Sequence, residues 1–229
     1  MISVNLRLTR HMSVLVSMVT TELVLVRHGE TRSNLEFLLH GRTDVPLTPL
    51  GEWQAHRVAQ RLVTIGTIDA IYSSPLLRAR STAQIISDEL GIGVEFMEDL
   101  TEFHFGDFEG YTLTRIQESH PEIFLQVLDT SDFDFRFPNG ESRREFHTRI
   151  QTALQSVIDA HAGKRIVVVA HGGVIASIVT QFTGGNPNDW ANFLVHNCSI
   201  TRLEIDGQPP ARLVCWDETT HLENEGAQG

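Results

Sequence analysis

The 229-residue chain is 41% hydrophobic and 21% charged, an ordinary globular composition, and it has no run near the ~20 apolar residues that span a bilayer, so no membrane partner is expected. Eighteen Lys and Arg against 29 Asp and Glu give a net charge of −11, which argues against nucleic acid and leaves any anionic ligand to a local arginine cluster. Cys198 and Cys215 are too few for a disulfide framework, and a reducing cytoplasmic setting is expected.

The length fits one domain. Residues 1–20 read as a disordered N-terminal extension, with methionines at 1, 12 and 18 ahead of the first clear strand. A signal peptide is the alternative, because Arg7, Arg10 and His11 precede a short apolar run, but no small-residue cleavage site follows. Residues 21–229 form the domain. A strand is expected at 22–27, then a helix at 48–64 with Thr48 as N-cap and Pro49 in its first turn. A short strand at 69–73 leads through Ser74-Pro75 into an amphipathic helix closed by Gly91. A brief strand at 94–96 precedes a segment of about 97–140 with few periodic elements, read as a small helical cap; its pieces at 112–128 are interrupted by His120-Pro121. After the Pro138-Asn139-Gly140 turn comes a long helix at 141–161. The β-branched run 166–170 is the best buried strand, followed by a helix at 173–182 and strands near 199–205 and 211–216. Alternating strands and helices imply an α/β three-layer sandwich with a mainly parallel sheet, helices on both faces and an antiparallel edge made by the last hairpin.

Three strand-to-helix junctions carry polar residues that this topology brings to one end of the sheet: Arg27 and His28, Arg78, and His171. Arginine forks suit phosphate because they make two charge-assisted hydrogen bonds at once. Gly172-Gly173 opens a helix and adds backbone N–H groups and the positive end of its dipole.

These residues resemble the histidine phosphatase, or phosphoglycerate-mutase-like, superfamily, over about residues 22–218. The resemblance rests on LVRHGETRSN at 25–34, continued by His40-Gly41-Arg42-Thr43-Asp44 and Leu47-Thr48-Pro49-Leu50-Gly51. SSPLLRARSTA at 73–83, LTEFHFGDFEG at 100–110, FPNGES at 137–142 and VVAHGG at 168–173 follow in the family's order. It implies that His28 attacks phosphorus to give a phosphohistidine, a step that needs the neutral imidazole that nearby arginines favour. Arg27, Arg78 and His171 would hold the phosphoryl oxygens, with Asn34 as a further donor. His40 and Gly41 lie in the loop expected near phosphate or substrate, although a plain loop role fits His40 equally. Gly172 joins the phosphate site through its helix N-terminus. Glu102 would be the general acid and base, which calls for partial burial under the cap; Glu98, Asp99, Asp107 and Glu109 are competing carboxylates nearby.

His104 and Arg144 are weaker candidates, and His56, His120, His147, His161, His196 and His221 read as ordinary surface or core residues. No cofactor or metal is expected: arginines beside His28 would repel a dication, and no third ligand stands at metal-site spacing. The resemblance allows hydrolysis of a small phosphate ester, phosphoglycerate mutase-type transfer, or a non-catalytic phospholigand-binding role. Where the mutase branch carries an arginine and a tyrosine after its glutamate, this chain has Phe103 and Phe105, which favours the phosphatase branch. The late edge strand or the outer side of the 141–161 helix offers a homodimer surface.

Overall fold

The computed structural model describes residues 19–207 and 210–223. The expected N-terminal extension lies outside them through residue 18, as do positions 208–209 in the turn of the last hairpin and residues 224–229.

Two long runs of apolar sequence set the centre of the molecule. Leu23–Val26 in β1 (Thr20–Arg27) and Ile166–Ala170 in β4 (Arg165–Ala170) are each fully buried and pair in parallel. Their side chains alternate between two apolar layers. Leu23, Leu25, Ile166 and Val168 meet α6 (Arg143–Ala160) and α7 (Gly172–Phe182). Val24, Val26, Val167 and Val169 meet α2 (Pro49–Ile65) and α3 (Leu77–Leu90) on the other face. A strand covered on both sides needs no polar alternation, which is why these runs read as continuous. With each buried Leu, Ile or Val contributing roughly 1.5–3 kcal/mol, this double layer dominates the stability of the sheet.

Among the described residues the strands form one six-stranded sheet in the order β3-β2-β4-β1-β5-β6, where β2 is Ala70–Ser73, β3 Val94–Phe96, β5 Ile200–Asp206 and β6 Arg212–Glu218. The three-layer α/β arrangement is thus the one expected, with one refinement. The hairpin contributes two strands: β5 is antiparallel to β1, and β6, antiparallel to β5, again runs with β1. The outermost strand is therefore not the one that opposes the sheet.

Helix ends follow local chemistry. The Thr48 side chain accepts from Gly51 N–H and Pro49 opens α2; Ser142 and Glu145 form a reciprocal capping box on α6; Gly91 closes α3 in the left-handed conformation. Periodicity does not reveal α1 (Arg32–Leu35), a single turn too short to show a pattern, whose signal is the capping box between Thr31 and Asn34. The cap contains α4 (Leu113–Ser119) and α5 (Pro121–Leu128), broken at His120-Pro121 as the sequence requires. Aromatic packing fastens it down: Phe103 lies 5.3 Å from Phe146 of α6, and Phe137 lies 5.3 Å from Phe108 and 5.1 Å from Phe135.

Candidate active site

Strand register brings the candidate residues together. Arg27 pairs with Ala170, and the next residue's N–H, from His28, donates to Ala170 O at 3.0 Å. Ser74 N–H donates to Val169 O at 3.0 Å, and Cys198 N–H donates to Arg27 O at 3.0 Å. Chain exits after β1, β2 and β4, and the entry to β5, therefore meet at one level of the sheet. Over them the cap closes a cavity of about 610 Å³ lined by Arg27, His28, Asn34, His40, Gly41, Glu102 and Gly172, among others.

His28 is 2% exposed, and its Nδ1 lies 2.8 Å from Gly29 O. Only a protonated Nδ1 can bond a carbonyl, so the lone pair resides on Nε2. Burial, then the Arg78 and Arg27 charges, hold the imidazole well below its usual pKa, and it is neutral at physiological pH. Asn197, which the sequence does not single out, fixes the neighbourhood by donating from Nδ2 to His28 O at 2.9 Å and to Asn34 Oδ1 at 3.2 Å. Asn34 Oδ1 also accepts from Thr31 N–H and Oγ1–H at 3.0 Å each, so the Asn34 amide N–H₂ is left as a donor toward the cavity.

Arg27 donates from Nη1 to Val195 O at 2.5 Å, while its Nε is buried without a partner among the described residues. An unmatched buried donor costs about 1–3 kcal/mol, which an anion held beside it offsets. Burial lowers the pKa of this guanidinium, yet it remains a cation.

Arg78 and His171 lie deeper than the residues that line the cavity. Both are fully buried, and they bond to each other: Arg78 Nε–H donates to His171 Nδ1 at 3.2 Å. His171 Nε2–H must then donate to Ser74 Oγ, 2.8 Å away, so both of its ring nitrogens are engaged. Arg78 further donates from Nη2 to Gly41 O at 2.7 Å and from Nη1 to Thr43 O at 2.9 Å, and burial lowers its pKa to about 10. The His171 ring sits 5.1 Å from that of His28, and the Arg78 charge acts on the His28 imidazole. Burial and the Arg78 charge hold His171 itself neutral.

His40 faces His28 with ring centroids 6.1 Å apart. Its Nδ1–H donates to Leu38 O at 3.0 Å and its Nε2 is buried without a partner among the described residues; burial and then Arg78 lower its pKa to about 4. Gly41 passes so close to Phe103 O and Glu109 that no side chain fits there. Glu109 supports the same loop by accepting from Arg42 N–H at 2.8 Å and Thr43 N–H at 2.7 Å.

Half-buried Glu102 reaches the cavity from the cap side. Its Oε1 accepts from Phe103 N–H at 2.9 Å and its Oε2 from Gly173 N–H at 3.0 Å, at the start of α7. The loop carrying it is held by a pair that sequence reading missed. Arg149 donates to Asp99 O at 2.6 Å and Glu102 O at 3.1 Å while forking onto Glu141 at 2.9 and 2.7 Å, and Glu141 also accepts from His104 N–H at 2.8 Å. The FPNGES motif contains Glu141 and was the available signal. His147, expected to be an ordinary residue, lines the cavity wall. Arg144 pairs with Asp134 at the surface, and the other competing carboxylates lie outside the cavity lining. Among the described residues no cluster of three His, Cys, Asp or Glu side chains is placed to hold a metal ion.

A neutral buried imidazole with two guanidinium groups nearby and a carboxylate lining the same cavity form a site suited to a phosphate ester. The chain belongs to the histidine phosphatase superfamily (branch 1), whose family model matches residues 23–219, and it is a phosphatase of that superfamily. It is 37% identical over 207 residues to phosphoglycerate mutase-like protein 4 of Arabidopsis thaliana, covering 90% of this chain and 88% of that protein. It is also 37% identical over 187 residues to a putative phosphoserine phosphatase 2 of Hydrogenobacter thermophilus, covering 81% and 90%. Among solved structures, phosphoserine phosphatase of Entamoeba histolytica in complex with 3-phosphoglyceric acid superposes with a TM-score of 0.79 at 32% identity, covering 89% of this chain and all of that one (100%).

Proposed function

We propose that this phosphatase hydrolyses small phosphate monoesters in two steps at His28. In the first, His28 Nε2 forms a bond to phosphorus as the ester P–O bond breaks, and protonated Glu102 gives its proton to the leaving oxygen. In the second, water attacks the phosphohistidine, its proton passes to Glu102, and the N–P bond breaks to release phosphate. Arg27 and the Asn34 amide supply donors at the cavity surface, the Gly172 end of α7 adds its dipole, and Arg78 with His171 contributes charge and position beside His28. His40 and Gly41 form the rim.

The observation that carries this reading is the tautomer of His28: anchored at Nδ1, held neutral by burial and two arginines, and left with its lone pair on Nε2. Rapid acid-free quenching with a ³²P-labelled ester should trap an acid-labile, base-stable phosphoenzyme, lost in His28→Ala together with phosphate release. A His28→Ala enzyme with undiminished turnover would refute the scheme. Mutase-type transfer, suggested by the names of some relatives, is separated by incubating 3-phosphoglycerate with a bisphosphate primer: the present reading expects no 2-phosphoglycerate, whatever the rate of phosphate release.

A further inference from the structure

Beyond the phosphoryl end, the cavity wall is aromatic and aliphatic. Phe103, Phe105, Phe135, Phe137 and Phe146 line it beneath the cap, with Val127 from α5. The apolar surface continues to the mouth through Phe37, Leu113 and Leu194, which are 83%, 47% and 57% exposed. Phe37 is held there at φ 54°, a backbone conformation unusual for a bulky residue.

Among the described residues no free cation lines this wall. Of the lining residues only Arg27 and Arg143 are cationic, and Arg27 belongs to the phosphoryl end. The Arg143 guanidinium is committed to the backbone: Nη2 donates to Gln126 O at 3.1 Å and Val127 O at 2.8 Å, and Nη1 to Asp132 O at 3.0 Å and to Asp129 O. All four Nη hydrogens are thereby used, and the group lies 4.9 Å over the Phe135 ring. The chain's single lysine, Lys164, precedes β4 at the opposite end of the sheet. His147 adds one neutral polar group. Its Nδ1 lies 2.8 Å from Ser177 Oγ, which also accepts from Gln181 Nε2, and a neutral imidazole offers at most one N–H donor to a ligand. That donor tolerates an uncharged oxygen but cannot neutralise a carboxylate.

We infer that the leaving group accepted here is uncharged and predominantly apolar, as in arylmethyl or medium-chain alkyl phosphates, and that carboxylate-bearing esters such as phosphoserine and phosphoglycerate are poor substrates. This rests on the phosphomonoesterase reading and departs from the substrates named for several relatives. A buried carboxylate without a partner is strongly disfavoured, whereas each methylene removed from water favours binding.

The test is kcat/KM on the full chain for a methyl-to-hexyl and naphthylmethyl phosphate series beside phosphoserine and 3-phosphoglycerate. The expectation is a rise of about fourfold per methylene until the cavity fills, the fold-change equivalent of burying one CH₂. Leu113→Arg, at the exposed mouth, places a cation within reach and should narrow the gap by raising phosphoserine turnover. Carboxylated esters turned over as well as the naphthylmethyl ester would overturn the inference while leaving the phosphatase reading intact. If no ester is turned over, that reading fails, and calorimetric titration decides the inference: naphthylmethylphosphonate binding more tightly than 2-amino-3-phosphonopropionate supports it, and equal or reversed affinities overturn it.

Discussion

Gly41→Ala isolates the loop that holds Arg78. The backbone there is not in the left-handed region, so alanine is disfavoured only by space. Its Cβ would lie 2.5 Å from Glu109 Oε1, 3.0 Å from Phe105 Cδ2, and closer still to the Phe103 carbonyl oxygen. Restoring contacts of about 3.5 Å moves the loop by roughly 0.5–1 Å. Such a shift lengthens the bonds from Arg78 to Gly41 O and Thr43 O, now 2.7 and 2.9 Å, to about 3.2–3.9 Å, where they are weak or broken. Hydrogen bonds to a charged group are worth about 1.5–3 kcal/mol each, so allowing for partial relaxation the variant should lose roughly 2–4 kcal/mol. At this chain length that is a fall in Tm of about 5–15 °C. Misplacing the Arg78 charge that acts on His28 should also reduce kcat/KM about 100-fold. Thermal unfolding followed by circular dichroism is the assay, with Gly93→Ala as control. Gly93 has open space around it, so the same change there should leave Tm unchanged or raise it, by about 0.4–1 kcal/mol of stability. A Gly41→Ala protein melting within about 2 °C of the parent would refute the packing argument.

Glu102→Gln should lower kcat by about 10²–10⁴ on alkyl phosphates but far less on p-nitrophenyl phosphate, whose leaving group needs no proton; equal losses on both would count against the acid role. Arg149→Met frees two carbonyls of the Glu102 loop and strands Glu141, so we expect about 3 kcal/mol of destabilisation in urea titrations and a fall in kcat greater than the change in KM, with partial rescue by Arg149→Lys. Stability should also fall on acidification. His28, His171, His40 and His147 all titrate below 6.5 when folded, so the unfolded chain binds more protons and stability present above that pH is lost as pH drops through 6.5 toward the folded values. For His40 and His147, both about 4 when folded, the loss between pH 7.5 and 5 is roughly 2 kcal/mol each, read as a lower urea midpoint. An unchanged midpoint would contradict their neutral burial.

Much of this site is written in local sequence because strand ends advertise themselves. A β-branched run that stops at His171, or an apolar run that stops at Arg27-His28, gives both the burial and the exit point. Asn197 is invisible to that logic: it lies just before β5, whose reversed direction delivers its leading end to the site, while the topology rule points to residues that follow parallel strands. Glu141 and Arg149 are eight residues apart in the chain and act on a loop carrying Asp99 and Glu102, so only packing shows what they hold. The mutual bond of Arg78 and His171 is equally non-local. From sequence both look like ligands of an oxyanion; only packing shows that they also bond to each other and are fully buried.

The position of β1 has a consequence for how the protein is made. This strand, near the start of the described chain, is completed on one side by β4 and on the other by β5, so Glu22 finds its neighbours at Arg165 and Glu204. The residue that clasps His28, Asn197, and the carbonyl that receives Arg27, at Val195, come from the last quarter of the sequence. On the ribosome, His28 is made 169 residues ahead of Asn197, so the surroundings of this imidazole form only once that later stretch exists. A chain that stops before Val195 thus holds every one of the early motifs without the contacts that fix Arg27 and His28, and should release no phosphate from an ester.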